Sequence, residues 1–147
     1  MTYDVRVENL PSRPFAAVQR VAKPNELSRV VPKACGAAWT ALKKFPNAKP
    51  GRHVAVYLDG QITMQIGVEV DGPFAGDAEL FPSATPGGRI AWTRHIGSYA
   101  GLRDAHAAIR RSCKEQGHAL AGPNWEIYGH WTDDESKLYT DVFYLLA

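Results

Sequence analysis

Hydrophobic and polar positions along the chain change period several times, and each change marks an element. Residues Tyr3 to Val7 and Phe15 to Val21 are short β-rich runs, and Pro11 and Pro14 punctuate the link between them. From Leu27 to Phe45 the period lengthens to three and four residues. Ala34, Cys35, Ala38, Leu42 and Phe45 form one apolar stripe, so a helix is predicted with Pro32 in its first turn and Pro46 at its end. His53 to Leu58 and Met64 to Val70 read as strands about an Asp59-Gly60 hairpin signal. Asp71 to Gly88 is rich in Gly and Pro and reads as a linker, with Ala78 to Phe81 as a short edge strand. The pattern then restarts. Arg89 to His95 predicts a strand, and Tyr99 to Gly117 a helix with Ser98 as N-cap and Gly117 as its stop. Trp125 to Trp131 and Leu138 to Leu146 predict two more strands.

The two halves read as copies. A shift of 71 positions lays Leu102 on Val31, Ala105 on Ala34, Ala108 on Ala37, Cys113 on Leu42 and Tyr128 on Tyr57. The expected architecture is α+β: duplicated strand-helix-strand-strand units forming a pseudo-two-fold antiparallel sheet, with two main helices and a central cleft. A single domain over 1–147 is expected, with repeats at about 3–71 and 89–147 and a linker at about 72–88.

Composition narrows the function classes. A net charge of +2 with no basic run longer than the pairs Lys43-Lys44 and Arg110-Arg111 argues against a nucleic-acid arm. No apolar run reaches the roughly 18 residues that span a bilayer. The opening residues lack the basic and apolar regions of a secretory signal. Two cysteines, Cys35 and Cys113, sit in helical patterns and suit a reduced, cytoplasmic setting. The five histidines show no metal-ligand spacing, and no Gly-rich phosphate loop or nucleophile elbow is present, so neither metal nor cofactor is expected.

The richest segment is Gly122-Pro123-Asn124-Trp125-Glu126-Ile127-Tyr128, read as a turn entering a strand. Glu126 and Tyr128 then share one face. Glu126 is either a solvated strand residue paired with Arg94 or Lys137, or a carboxylate among rings. In the second case it offers a counter-charge or a general base. Its first-half counterpart is Ala55, so a cleft between the halves would hold one acid, the asymmetry an oriented ligand needs. Tyr57, Trp92, Tyr99 and Tyr128 are the candidate aromatic walls; a ring facing a cation contributes roughly 0.5–2 kcal/mol. His95 is expected to make a structural hydrogen bond.

These segments, together with Arg94 to Leu102, Ile66 to Val70 and Asp141 to Leu146, resemble the gyrase-inhibitor-like (GyrI-like) small-molecule-binding domains across about Tyr3 to Ala147. The resemblance implies a ligand cleft between duplicated halves, with Glu126 contacting bound cations and Tyr99 and the Phe143 region lining it. Similar domains serve as effector domains of multidrug-sensing regulators, and some stand-alone relatives are hydrolases of cyclopropane-bearing alkylators. The expected ligand is a small hydrophobic or cationic organic molecule, held for sensing or sequestration. The alternative is a hydrolase of strained electrophiles, in which Glu126 activates water and Tyr128 assists. A third reading is a module that blocks a larger enzyme such as a topoisomerase. No helix-turn-helix precedes the domain, so direct contact with nucleic acid is not expected.

Overall fold

The computed structural model describes residues 2–59 and 63–147. Its elements in chain order are β1 (Arg6–Leu10), β2 (Pro14–Val21), α1 (Leu27–Leu42), β3 (Pro50–Asp59), β4 (Thr63–Val70), β5 (Phe81–Ala84), β6 (Gly88–Ile96), α2 (Leu102–Gln116), β7 (Leu120–Tyr128) and β8 (Tyr139–Leu146). All eight strands join one antiparallel sheet in the order β1-β6-β8-β7-β3-β4-β2-β5. The order is a palindrome of the two halves: β7, β8 and β6 step outward on one side as β3, β4 and β2 do on the other. The duplication expected from the 71-residue offset is therefore expressed as strand order. Of the Asp59-Gly60 hairpin signal, Gly60 lies outside the described residues.

Several boundaries move, each for a local reason. The first paired strand is Arg6–Leu10 rather than Tyr3 to Val7; Tyr3 and Val5 pack instead against the cluster under α2. Leu80 turns inward, and the edge strand runs Phe81–Ala84, sharing only Phe81 with the expected Ala78 to Phe81. Pro32 is the sixth residue of α1, not part of its first turn, so one helical hydrogen bond to the Ser28 carbonyl is missing. Tyr99–Gly101 is a 3-10 turn ahead of α2, and Gly117 closes α2 with φ +76. Gly122 and Pro123 are not a turn before β7. They sit in an irregularity within it, where the β7–β8 register shifts and Gly122 holds φ +124.

The sheet curls. Leu10 and Pro14 are four residues apart and span at most roughly 14 Å. Yet β1 and β2 stand six places apart in the sheet, about 29 Å if it were flat. Ala84 and Gly88 impose the same closure between β5 and β6. The inside of the curl is a buried apolar cluster of Phe15, Ala17, Val54, Val56, Ile90, Trp125, Ile127 and Phe143. The outside carries the helices. α1 covers Ala55, Tyr57, Ile66 and Val68 through Val31, Ala34, Ala38 and Leu42, and α2 covers Ala91, Val142 and Tyr144 through Ala105, Ile109 and Cys113.

One end of the curl carries a charge belt. Arg94 grips Asp141 through two bonds of 2.7 and 3.0 Å, and Arg52 reaches Asp141 at 3.6 Å and Glu69 at 3.0 Å. Burial alone would raise the Glu69 carboxyl, but hydrogen bonds from the Arg52 side chain and amide, with the charges of Arg52 and Arg13, bring it below 4.5. A carboxyl lowered by folding stabilises the fold above its unfolded value and loses that contribution as pH falls through its folded value. Urea midpoints are therefore expected to fall between about pH 5 and 3, and to fall less steeply in Glu69→Gln. An unchanged slope would show that the belt is already satisfied without Glu69.

Candidate functional site

The two-fold relation fixes where the carboxylate lies. Ala55 of β3 pairs directly with Glu126 of β7, and the offset that superposes the helices also carries Ala55 onto Glu126. A residue whose cross-strand partner is also its symmetry mate sits on the axis. One acid thus occupies the seam between the halves, with a methyl group opposite. Glu126 is only 6% exposed.

Symmetry also arranges its partners. Tyr57 and Tyr128 occupy equivalent positions, and both hydroxyls donate to Glu126 Oε1, at 3.3 and 2.5 Å. The shorter distance falls in the range of a hydroxyl bonded to an ionised oxygen. Burial foremost, then the neighbouring Glu126 charge, raises both phenols, so they stay protonated as donors. The opposite helices supply Cys35 and His106, again at equivalent positions. Here the symmetry breaks: His106 bonds Glu126 Oε2 at 2.7 Å, whereas burial pushes the Cys35 thiol up to about 12, leaving it a poor nucleophile.

Behind His106 the chain of hydrogen bonds continues. His106 Nδ1 meets the Tyr144 hydroxyl at 2.7 Å, and Arg110 donates to the same oxygen at 2.9 Å. With Arg110 occupying one lone pair, Tyr144 can give its proton to Nδ1. That assigns the remaining Nε2–H as the donor to Glu126. Glu126 therefore accepts three hydrogen bonds and has no arginine or lysine partner among the described residues. The alternative pairings expected from sequence do not occur: Arg94 holds Asp141, and Lys137 lies 3.9 Å from Asp134.

In front of Glu126 opens a cavity of about 1160 Å³ between the two helices. Glu126, Tyr57 and Tyr128 line it, with Val31, Cys35 and Trp39 from α1 and Tyr99 and Leu102 from the start of α2. Tyr99 meets the Tyr128 ring edge-on at 5.9 Å. Trp39 packs on His53 at 5.7 Å, and Trp131 stands 72% exposed at the rim. Of the residues expected from sequence, Tyr57, Tyr99, Glu126 and Tyr128 come together around one space.

Trp92 and Phe143 do not, and this corrects the sequence expectation. Their side chains stack inside the curl, Trp92 on Phe143 at 5.7 Å and Phe143 on Trp125 at 5.4 Å, on the opposite face of the sheet. The Trp92 indole N–H donates to Glu8, and Arg6 lies over its ring. The register explains the exclusion. Trp92 pairs with Phe143, and Phe143 with Trp125, the neighbour of Glu126 that the pleat turns the other way. His95 bridges the Tyr3 hydroxyl and the Ser98 carbonyl, the structural role expected of it. Sequence reasoning missed His106, whose signal was its spacing: it falls one helical turn after Leu102 and one before Ile109, on the buried stripe. Trp39 and Trp131 gave no such signal.

Among the described residues, no group of three or more His, Cys, Asp or Glu is placed to hold a metal, and no helix is long and apolar enough to cross a membrane. No curated protein sequence matches the chain. Among solved structures, the C-terminal domain of EcmrR superposes with a TM-score of 0.79 at 16% identity, covering 100% of this chain and 99% of that one. SAV2435 bound to tetraphenylphosphonium superposes at 0.68 and 11% identity, covering 100% and 94%. A hydrolase from Listeria innocua superposes at 0.61 and 11% identity, covering 97% and 91%. At such identities these likenesses establish the fold. The sequence carries the assignment further: residues 3–146 match the family throughout, and the chain belongs to the GyrI-like small molecule binding domains.

Proposed function

We propose that this chain binds a hydrophobic aromatic cation in the cavity between its helices, with Glu126 as the counter-charge, and that it acts in the cytoplasm to sense or sequester that molecule. One observation carries the reading: a buried carboxylate with no arginine or lysine paired to it among the described residues forms the floor of a large, ring-lined cavity. A buried charge is costly unless it is compensated, and a lipophilic cation supplies the missing charge. Tyr57 and Tyr128 fix the carboxylate, while Tyr99, Trp39 and Trp131 offer ring faces at the entrance. The fold's likeness to a protein solved with tetraphenylphosphonium supports a ligand of that class. Two unpaired cysteines, Cys35 and Cys113, suit a reducing compartment.

The geometry favours a counter-charge over a general base. Three donors already converge on Glu126, so its acceptor positions are taken up by Tyr57, Tyr128 and His106 rather than left open to a substrate water. Calorimetric titration with tetraphenylphosphonium and other aromatic cations tests the binding reading. Saturable binding supports it, and no binding across the panel defeats it. Mass analysis after incubation with cyclopropane-bearing electrophiles tests the alternative, since Glu126-driven hydrolysis adds one water to the product.

The rim gives a graded prediction. Trp39→Ala and Trp131→Ala are each expected to weaken cation binding about 2–5-fold, the effect of a ring worth about 0.5–1 kcal/mol at an exposed site. Thermal stability should change little, because both rings are substantially exposed. Unaltered affinity in both variants would move the ligand away from the entrance.

A further inference from the structure

His106 does not line the cavity; it stands behind the floor, 8% exposed, and touches Glu126 from the side of α2. A ligand in the cavity therefore meets Glu126 and not the imidazole. We propose that His106 is the specificity-determining residue of this site, acting through Glu126 to select between cationic and uncharged ligands. The inference rests on the reading of the cavity as a ligand site and names how that site is regulated.

With a neutral imidazole every group in the chain is satisfied: Arg110 to Tyr144, Tyr144 to Nδ1, Nε2–H to Glu126. Among the described residues no arginine or lysine then pairs with the carboxylate, which faces the cavity. Adding a proton at Nδ1 makes an imidazolium, which forms an internal ion pair with Glu126 at 2.7 Å. The floor becomes neutral overall, and an incoming cation loses its counter-charge. At the same time Nδ1–H turns toward an oxygen that already accepts from Arg110, and the Tyr144 proton must rotate away.

The groups that bear on His106 come from every element around it. Glu126 of β7 touches Nε2 at 2.7 Å, and Tyr144 of β8, itself held by Arg110 of the same helix as His106, touches Nδ1 at 2.7 Å. Tyr57 of β3 and Tyr128 of β7 stay neutral and reach His106 only through the carboxylate. Cys35 of α1 stays a thiol across the seam. Imidazole is the side chain whose charge changes between about pH 5 and 8. Selectivity is therefore expected to follow pH in that window, cation binding being favoured at the alkaline end.

Methyltriphenylphosphonium and triphenylphosphine oxide are similar in shape, differ in charge and do not titrate in this range. For the unmodified chain, affinity for the phosphonium is expected to weaken tenfold or more from pH 8 to pH 5, while affinity for the oxide holds or tightens. His106→Gln retains an N–H donor for Glu126 without a titratable charge; it should bind the phosphonium at pH 8 and lose the slope. A reciprocal measurement needs no variant. Cation saturation should lower the midpoint of the His106 imidazole resonance by about one pH unit for a tenfold coupling. Phosphonium binding that is flat with pH, or an unmoved imidazole midpoint, overturns the role of His106 and leaves the cation site standing. A slope retained in a folded His106→Gln protein also overturns it. Failure of both probes to bind at any pH overturns the site itself and this inference with it.

Discussion

Glu126→Gln should weaken binding of an aromatic cation at least tenfold, about 1.4 kcal/mol, while an uncharged ligand of the same shape loses far less. The substitution keeps the shape of the floor and removes its charge. It also disturbs the network, because an amide offers one acceptor oxygen and one donor nitrogen where three donors now converge. If the amide oxygen stays with Tyr57 and Tyr128, its NH₂ faces His106, which must then accept at Nε2 and move its proton to Nδ1. The Tyr144 oxygen already accepts from Arg110, so one polar hydrogen in the chain loses its partner. A stability loss of about 1–3 kcal/mol is expected alongside the binding defect. Calorimetry with the phosphonium and oxide probes separates the effects: general loosening weakens both ligands, and charge removal weakens the cation. Equal affinities before and after substitution would rule out the counter-charge.

Gly67→Ala should cost 3 kcal/mol or more and lower the melting temperature by about 10 °C. Gly67 sits on β4 between β3 and β2, where a Cβ would lie 1.6 Å from the Ala16 carbonyl oxygen. That contact is with backbone, so no rotamer change relieves it, and β2 must pull off the ladder. β2 and β4 carry Ala16, Val18, Ile66 and Val68 of the core beneath α1. Displacing them shifts the helix that forms one wall of the cavity. Gly36→Ala offers a contrast in the same half. It lies in α1, a Cβ there meets nothing within 4 Å, and the helix should gain up to about 1 kcal/mol. Denaturant midpoints check both signs, and a neutral Gly67→Ala would mean that β2 yields more readily than its pairing implies.

Part of the site was legible because it depends on relations along one chain. Glu126 and Tyr128 share a face by the pleat of a single strand, and a fixed offset links Tyr57 to Tyr128 and Ala55 to Glu126. The start of β7 was less legible. Gly122 and Pro123 suggested a turn, yet neighbouring strands absorb the irregularity as a shift in register inside β7.

The sequence alone determined the duplication, the order of strands and helices, and the presence of a single acid at the point of symmetry. It did so because residue periodicity and repeat spacing are properties of a linear string. Only the tertiary structure decided which face of each strand looks toward the helices. The curl buries both faces of the central strands, so Thr140 to Tyr144 are buried in succession and the usual alternation of wet and dry positions is erased. Cross-strand register then sends Trp92 and Phe143 into the curl, and helix packing brings His106 to Glu126 from 20 residues away.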